Sequence, residues 1–497
     1  MKRSKNLGAC FLPSVPIDKV ALIEPGDQVR RTTYGELQAQ ADAVARGLVA
    51  RGLVRGDRVG LMALNSLEYL VAYFGIMRAG LIAVPFSYKL AQPVIDHICR
   101  DSDLKLLFHD AIHAVKVPDG VPAIQLGGLD FAALLDPGPF VLVEPEAGEV
   151  GMILYTSGST GMPKGVLLSH DSQRWSLEHG SKGSGDRSDA VYIVAAPMFH
   201  MNATISIKGA FYNGATVVML PTFDAIAYAT AIPDFDVTTL TSVPTMLALV
   251  AREGDALGGL DFSSVTDVTM GSAPLTQALV DKVQALFPAS SIKNSYGTTE
   301  GGPSPFGAHP DGIPRPEVSL GYPHAGTGAE LREDAGPDEG VLYLKNPMQM
   351  NGYNNLPKKT AAAVIDGWYR TGDIMRRDAN GFFYFLGRAD DMFNVGGENV
   401  WPGEVEKLLE AMPGVHQVCV VPAAHETKGM APFAFVVAGL DATLTVDAVK
   451  QFALANGPAH AHPRNVVFLD AIPLAGTNKP DRNLLAARAK RILDGQA

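Results

Sequence analysis

The segment Tyr155–Val166 constrains this chain more than any other stretch of its sequence. Glycines, hydroxyl side chains and one lysine follow directly on the apolar residues Met152–Leu154. Glycines let backbone N–H groups come close to a ligand, and successive N–H groups can form a concave site for an anion. The hydroxyl groups add hydrogen-bond donors, and Lys164 adds a mobile positive charge. The segment therefore predicts a loop that wraps a polyphosphate behind a buried strand.

The spacing of this loop differs from that of the common phosphate-binding loop, G-x-x-x-x-G-K-[ST]. Counted from Gly158, the second glycine should stand where the chain has Pro163. Lys164 is followed by Gly165 rather than by serine or threonine. The chain is therefore not a P-loop nucleotide hydrolase by spacing, and a flexible surface turn is the alternative interpretation of the segment.

Composition and charge limit the class of protein. The 497 residues suffice for about two to four domains. A net charge of −11 argues against a nucleic acid or an anionic membrane as partner, so phosphate ligands would require locally concentrated positive charge. The widely spaced Cys10, Cys99 and Cys419 predict isolated reduced thiols in a cytoplasmic protein. The apolar piece that follows the basic N-terminus, residues 9–12, is shorter than a secretory signal requires.

Strand and helix patterns alternate along most of the chain. Thr33 and Glu36 form a capping-box pattern before apolar residues at helical spacing, and Gly52 is a suitable stop for that helix. A second helix is predicted over 67–80. Strands are predicted over 58–64, 81–85, 191–196, 215–220, 237–242, 265–270 and 291–294. Strands that alternate with helices predict an α/β fold of parallel or mixed sheets flanked by helices.

The composition changes near residue 387, where the short polar segment Gly387–Asp391 follows an aromatic, strand-rich stretch. Beyond it, two helix patterns (405–412 and 446–452) and three strand patterns (415–421, 433–437 and 466–469) predict a compact α+β unit. We therefore predict a large domain over 1–388 and a small domain over 389–497.

Further polar motifs follow predicted strands. Ser295–Glu300 combines a tyrosine that can stack on a purine, threonines that can bind phosphate and a carboxylate that can hold Mg²⁺; a polar turn is the alternative. Gly271–Pro274 and Tyr369–Asp373 are also compatible with simple turns. Taken alone, Lys479 is typical of an exposed charge and His200 of a packing residue.

In their order from Thr33 to Leu484, these motifs resemble the adenylate-forming superfamily of acyl-CoA synthetases, adenylation domains and luciferases. The string T-S-G-S-T-G-x-P-K-G at 156–165 is the longest of them. Acid–CoA ligases of the 4-chlorobenzoate and coumarate type are the most similar, and Gly-Gly-Glu-Asn at 396–399 resembles the former type in particular. The resemblance implies that the small C-terminal domain is mobile and pivots near Asp390.

The resemblance also implies a role for each motif. The loop ending at Lys164 would hold the β- and γ-phosphates of ATP, and Asp373 with Arg388 would hold the ribose. His200 would border the acid carboxylate, and Trp401 would stack on CoA or the acyl group, with a role as a core anchor as the alternative. The predicted catalytic residues are Lys479, Thr299 and His200, and the predicted Mg²⁺ ligand is Glu300. The predicted nucleotide- and CoA-binding residues are Thr156, Ser157, Gly158, Ser159, Thr160, Gly161, Lys164, Ser272, Ala273, Pro274, Asn294, Ser295, Tyr296, Gly297, Thr298, Asp373, Arg388, Gly396, Gly397 and Trp401.

The implied activity is that of an AMP-forming acid–CoA ligase, which converts ATP, a small carboxylic acid and CoA into acyl-CoA, AMP and pyrophosphate through an acyl-adenylate. Because Met201, Asn202 and Trp401 are bulky or polar, we expect a compact acid, either aromatic or short and branched or hydroxylated, rather than a long fatty chain. Two alternatives stay open: an adenylation enzyme that loads a carrier protein, and a non-catalytic nucleotide sensor. No membrane or nucleic-acid partner is expected, and a homodimer is the assembly we consider.

Overall fold

A computed structural model describes residues 3–156, 162–180, 185–336, 338–395, 398–425, 428–439, 442–474 and 480–495, without the side chains of residues 255, 334, 335 and 399. The helices described are α1 Tyr34–Ala50, α2 Leu67–Arg78, α3 Gln92–Asp101, α4 Leu129–Leu134, α5 His170–Gly180, α6 Met201–Tyr212, α7 Ala225–Asp234, α8 Pro244–Arg252, α9 Gln277–Leu286, α10 Pro357–Ala363, α11 Pro402–Glu410, α12 Val446–Asn456 and α13 Arg482–Leu493. Short 3₁₀ turns occur at Leu7–Ala9, Ala114–Lys116 and Gly254–Leu257.

The strands described fall into two large and several smaller sheets. They are β1 Val20–Glu24, β2 Arg30–Thr33, β3 Arg58–Met62, β4 Ile82–Pro85, β5 Leu104–His109, β6 Ala123–Gln125, β7 Val150–Thr156, β8 Lys164–Ser169, β9 Val191–Val194, β10 Thr216–Met219, β11 Thr239–Ser242, β12 Asp267–Gly271, β13 Ser291–Ser295, β14 Phe306–Gly307, β15 Tyr322–Pro323, β16 Gly328–Gly336, β17 Glu339–Lys345, β18 Gly352–Tyr353, β19 Val364–Ile365, β20 Trp368–Arg377, β21 Phe383–Arg388, β22 Phe393–Val395, β23 Glu398–Val400, β24 Val415–His425, β25 Gly429–Ala438 and β26 Asn465–Phe468.

The large domain contains two seven-stranded sheets, in the orders β13-β12-β11-β9-β10-β1-β2 and β18-β8-β7-β4-β3-β5-β6. The first is parallel except for β2, and the second is parallel except for β8, which runs antiparallel to both β7 and β18. Helices α1 and α2 pack together in a core that includes Leu22 of the first sheet and Leu61 of the second. The predicted α/β class with mixed sheets flanked by helices is confirmed.

The described residues of the second half of the chain add three smaller sheets, of which the smallest is the antiparallel pair β14 and β15. Strands β16, β17, β20 and β19 form an antiparallel sheet, with β21 paired to β20. In the small domain, strands β23, β22, β25 and β24 are neighbours, and β26 pairs with β25 in parallel. Helices α11 and α13 both contact β24. The predicted α+β composition of the small C-terminal domain is thus confirmed.

Local predictions agree with the structure except at strand ends. The capping box at Thr33 and Glu36 is present, α1 ends at Ala50, and Gly52 adopts a left-handed φ of 86°. Strand β9, however, ends at Val194 instead of the predicted residue 196. Ala195 and Ala196 are buried like residues inside a strand, which explains why their sequence resembles one. Beyond them the chain turns toward Asn65, whose side-chain oxygen accepts a hydrogen bond of 2.9 Å from the Met198 N–H.

The predicted state of the cysteines is confirmed, since Cys10, Cys99 and Cys419 are all buried free thiols. Burial raises the pKa of the Cys10 thiol to about 11, which keeps it protonated. Within the described part of the chain, no helix combines the length and the apolar character that a membrane crossing requires.

Candidate active site

The motifs singled out in the sequence converge on one cavity of about 1730 Å³ between the large and small domains, called here the central cavity. Parallel strands end at its edge, where motif residues follow β12 and β13. The motif residues that line it are Thr156, Lys164, His200, Ser272, Ala273, Pro274, Asn294, Ser295, Tyr296, Gly297, Thr298, Thr299, Glu300, Asp373 and Arg388. The fold therefore brings together residues that are spread from Thr156 to Arg388.

Part of the predicted site lies outside the described residues, namely Ser157, Gly158, Ser159, Thr160, Gly161, Gly396, Gly397 and Lys479. Their flanking residues are described. Thr156 and Lys164 face each other as a pair on antiparallel β7 and β8. Leu474 and Pro480 also form an antiparallel bridge, and Pro480 lines the central cavity.

Tight packing of glycines shapes the turn that carries Glu300. The backbones of Thr298 and Gly302 exchange hydrogen bonds of 3.1 and 3.0 Å, and Gly302 has a φ of 104°. A Cβ at Gly297 would lie 2.2 Å from the carbonyl oxygen of Pro303. Glycine suits the left-handed φ at position 302 and the close approach at position 297, and the resulting tight turn presents the Glu300 carboxylate to the cavity.

Glu300 is 9% exposed and lies beside two hydroxyl groups. Its Oε1 is 3.3 Å from Oγ1 of Thr156 and 3.1 Å from the hydroxyl of Tyr353. Burial, and then the negative charge of Glu300, raises the pKa of the Tyr353 hydroxyl, so it stays a hydrogen-bond donor. The ammonium of Lys164 lies 4.3 Å from the centre of the Tyr353 ring. Tyr353 is a site residue that the sequence motifs did not identify.

The donor set at Glu300 suits a hard cation. Carboxylate and hydroxyl oxygens are ligands that Mg²⁺ accepts, and this ion is commonly held by one or two carboxylates together with substrate phosphates. The described residues contain no group of three or more His, Cys, Asp and Glu side chains placed to hold a metal alone. Glu300 and Thr156 therefore fit an ion that enters with a nucleotide.

Asp373 forms a second polar centre of the cavity and is 4% exposed. Its Oδ2 accepts a bond of 2.5 Å from the hydroxyl of Tyr296, and its Oδ1 lies 2.9 Å from Nη1 of Arg388. Burial by itself would lower the pKa of Arg388, but the carboxylates of Asp373 and Asp390 raise it and prevail. A buried carboxylate in this setting can accept bonds from the hydroxyls of a sugar.

The loop Gly271–Pro274 contains backbone strain. Ser272 has a φ of 67°, in the left-handed region that non-glycine residues seldom occupy. A Cβ at Gly271 would lie 2.7 Å from the carbonyl oxygen of Ser295, so the ends of β12 and β13 are packed too closely for a side chain there. Strained residues cluster at ligand sites, and this loop lines the central cavity.

His200 and Trp401 differ in placement. His200 is the N-cap residue of α6, lines the central cavity and packs edge-on against Phe199, with ring centres 4.7 Å apart. Trp401 is not among the described residues that line this cavity, and it is the N-cap residue of α11. Its ring packs against Gly387, where an added Cβ would lie 3.0 Å from Cδ1 of the tryptophan. Its predicted stacking on CoA or the acyl group stays a prediction.

A partly buried ion pair in the small domain is not marked by any of the sequence motifs. The guanidinium of Arg482 binds Glu406 through two bonds, of 2.7 and 2.8 Å, and also donates to the carbonyl of Val420 at 2.7 Å. The Val420 N–H donates to the same carboxylate at 2.7 Å. Arg482 begins α13 and lines the central cavity. Since 76 residues separate the partners, no local pattern could have paired them.

The fold and the site together define a nucleotide-binding enzyme of the adenylate-forming type. The AMP-binding enzyme family model matches residues 13–354, and the AMP-binding enzyme C-terminal domain model matches residues 404–479. The chain therefore belongs to the AMP-binding enzyme family, and the resemblance drawn from its motifs is confirmed.

Relatives of similar length support the same class. A fatty acid–[acyl-carrier-protein] ligase of Streptomyces coeruleorubidus is 32% identical over 92% of both chains. A feruloyl-CoA synthase of an Amycolatopsis species is 30% identical over 90% of this chain and 92% of its own. The crystal structure of an anthranilate CoA ligase with anthranoyl-AMP superposes with a TM-score of 0.91 at 25% identity, over 99% of both chains. The chain is accordingly an acid–thiol ligase rather than a non-catalytic sensor.

Proposed function

We propose that this acid–thiol ligase activates a carboxylic acid with ATP and transfers the acyl group to CoA. The observation that carries the proposal is the convergence of Glu300, Asp373 and Arg388 on one cavity bordered by both domains. ATP, the acid and CoA are the substrates in this proposal, and AMP, pyrophosphate and acyl-CoA are the products.

In the first half-reaction, an oxygen of the acid carboxylate attacks the α-phosphorus of ATP, and pyrophosphate leaves with the electrons of the broken P–O bond. Asp373 accepts hydrogen bonds from the ribose hydroxyls, while Arg388 and Tyr296 hold its carboxylate in place. The ring of Tyr296 and the loop Gly271–Pro274 form the adenine side of the site. The positive charge of Lys164 and the loop before it bind the pyrophosphate that leaves.

Glu300 and Thr156 hold Mg²⁺ in this proposal. When bound, the ion neutralises phosphate charge and polarises the phosphoryl oxygens. Thr299 contacts the α-phosphate, and Lys479 balances the negative charge that develops there and on the acid carboxylate. Support for the role of Lys479 comes from the adjacent residues, because Pro480 and Arg482 line the cavity and are fixed by the Leu474 bridge and the Glu406 ion pair.

In the second half-reaction, the CoA thiol gives up its proton, attacks the acyl carbon and displaces AMP. We propose that domain 389–497 rotates against domain 1–388 about a hinge at Asp390, which removes Lys479 and brings in the segment of Gly396 and Gly397. The Asp390 carboxylate lies 3.5 Å from Nη2 of Arg388, so the pivot adjoins the ribose site. His200 then separates the acyl channel from the thiol channel, and Trp401 contacts CoA.

A carrier protein is the second candidate acceptor. It is favoured by the 32% identity to the fatty acid–[acyl-carrier-protein] ligase. CoA and carrier proteins both present a thiol, so the adenylation half-reaction is common to the two candidates. The acceptor is decided by the surface that the small domain presents after rotation.

We further propose that the enzyme works in the cytoplasm without a membrane or nucleic-acid partner. The buried free thiols of Cys10, Cys99 and Cys419 support a reducing compartment. A homodimer is the assembly that we predict, and light scattering at several concentrations would test it.

The proposal is tested with the full chain in two assays. Acid-dependent exchange of pyrophosphate into ATP measures adenylation, and consumption of CoA thiol measures transfer. We expect exchange that Lys479→Ala abolishes, followed by thioester formation with free CoA. Exchange without CoA consumption, but with loading of a carrier protein, would transfer the function to the second candidate. Absence of exchange across a broad panel of acids would refute the adenylation step itself.

A further inference from the structure

We infer that the acid pocket continues along helix α6 as a channel for a flexible aliphatic chain of medium length, and that Gly209 determines how long an acid this enzyme accepts. The inference rests on the proposed function, because it assigns the tail of the acid that is adenylated in the central cavity. It adds a substrate class and a specificity-determining residue to that site.

One face of α6 forms a wall of the central cavity over the whole length of the helix. The wall residues are Asn202, Ile205, Ser206, Gly209 and Asn213. Their spacing places them on one side of the helix, and the distance from the first to the last is about 16 Å along the helix axis. His200 is the N-cap residue of α6, so in the proposed function this wall begins beside the acid carboxylate.

The C-terminal end of α5 adjoins this wall, because α5 packs against α6. Ser176, Leu177 and Gly180 line the same cavity, and they share one face of α5. Leu177 is buried and Gly180 is exposed, so the channel runs from the protein interior toward the surface. An acyl chain that lies along these two helices could extend well beyond the size of an aromatic ring.

Among the described residues, the two glycines of the channel have no close neighbour on the side where a Cβ would stand. An added Cβ at Gly209 or at Gly180 would meet none of the described atoms within 4 Å. Gly209 lies inside a helix of 12 residues, where glycine is less favourable than alanine because of its backbone entropy. The fold therefore tolerates a side chain at position 209, and the glycine is explained by the room that it leaves beside the helix.

The polar residues of the channel direct their donors into their own helices. The hydroxyl of Ser206 donates to the carbonyl of Asn202 at 2.7 Å, and the amide of Asn213 donates to the carbonyl of Gly209 at 2.9 Å. On α5, the hydroxyl of Ser176 donates to the carbonyl of Ser172 at 3.3 Å. None of the described residues named above as channel walls carries a charge. A hydrocarbon chain would therefore displace few hydrogen bonds, whereas a charged tail would find no counter-ion there.

Two of the residues that suggested a compact acid stand at the start of this channel, and the third stands outside it. Met201 and Asn202 belong to the first turn of α6, at the carboxylate end, and Trp401 packs near Gly387 outside the central cavity. Their bulk limits the width of the entrance and leaves the length of the channel open. A straight chain satisfies both conditions better than a wide ring.

The test compares pyrophosphate release with butanoate, hexanoate, octanoate, decanoate, isobutyrate and benzoate. We expect kcat/KM to rise about fourfold for each added methylene that enters the channel, as burial of a methylene predicts. In Gly209→Leu, the ratio of kcat/KM for decanoate over butanoate should fall about tenfold or more, because leucine fills the space of several methylenes. Gly209→Ala should give a smaller change in the same direction.

Gly26→Leu is the matched control, because Gly26 is exposed, lies between β1 and β2, and its added Cβ would meet only the carbonyl oxygen of Gln28 at 3.8 Å. It should keep the chain-length profile of the unmodified enzyme. Highest kcat/KM for benzoate or isobutyrate would overturn the inference and favour the compact acid. An equal loss on all acids in Gly209→Leu, with an unchanged melting temperature, would also overturn it. If CoA is not used, the same acids are compared by exchange of pyrophosphate into ATP, which needs no thiol acceptor, so the test does not depend on the second half-reaction.

Discussion

Asp373 and Arg388 occupy paired positions on the neighbouring antiparallel strands β20 and β21, and their side chains form an ion pair of 2.9 Å. The pairing is a consequence of strand register, so the geometry does not depend on a flexible loop. Tyr296 arrives from the carboxyl end of β13 and binds the other oxygen of the same carboxylate. Two sheets thereby fix the buried carboxylate of Asp373, a hydrogen-bond acceptor, at the border between the domains.

The first prediction concerns this acceptor. Asp373→Ala should lower kcat/KM for ATP about 10- to 100-fold, because hydrogen bonds to a charged group are worth about 1.5–3 kcal/mol. The loss should appear mainly in KM for ATP, since the ribose hydroxyls lie away from the reacting phosphorus. Initial rates of pyrophosphate release at varied ATP measure it. Asp338→Ala removes an exposed carboxylate paired with Arg377 and serves as control; an equal loss there would show that the effect is not local.

The second prediction concerns the metal. Glu300→Gln keeps the size of the side chain but removes its charge, so the Mg²⁺ concentration for half-maximal pyrophosphate release should rise at least about tenfold. Tyr353→Phe removes only the hydroxyl that contacts Glu300 and should cause a smaller rise. Titration of each variant with MgCl₂ at constant free ATP gives the values. An unchanged Mg²⁺ requirement in Glu300→Gln would place the ion on other residues.

How far the sequence predicts this molecule depends on whether the signal is local. The strand-ending motifs around Thr156, Glu300 and Asp373 were identified from residue types and order, and the structure brings their described members together. Tyr353 belongs to the two-residue strand β18, which has no periodicity to recognise, and it reaches Glu300 only through sheet pairing with β8. Helix α13 was not predicted either, because its buried face consists only of Leu485 and Ala489.

The third prediction concerns the anchor of the C-terminal segment. Glu406→Gln should lower the free energy of unfolding by about 1–3 kcal/mol, because Arg482 would lose its charged partner. The loss should be smaller than for a fully buried ion pair, because the guanidinium of Arg482 is partly exposed. Adenylation should decline as well, since Arg482 follows the segment that contains Lys479. Urea unfolding and pyrophosphate exchange measure the two effects.

Lys490→Gln is the control for this prediction, because it breaks an exposed ion pair with Asp494 on the same helix. That change should cost less than about 0.5 kcal/mol. If Glu406→Gln matched the control in both stability and exchange, the buried ion pair would have no role in holding the segment.

The last prediction concerns Glu410, at the contact between the domains. Burial, and then the nearby charge of Glu406, raises the pKa of Glu410 to about 7; the Val418 N–H, the Thr276 hydroxyl of the large domain and the Lys282 ammonium act in the opposite direction. A carboxyl whose folded pKa exceeds its unfolded value binds more protons in the folded state, so stability falls as the pH rises from about 4.5 to about 7. Above that window the charged Glu410 opposes the contact between the two domains.

The Glu410→Gln variant should therefore melt a few degrees higher than the unmodified enzyme at pH 8, and this difference in melting temperature should shrink toward pH 5. Thermal unfolding at both pH values measures it, with exposed Glu146→Gln as the matched carboxylate change. A difference that is the same at pH 5 and pH 8 would mean that Glu410 does not titrate in this range.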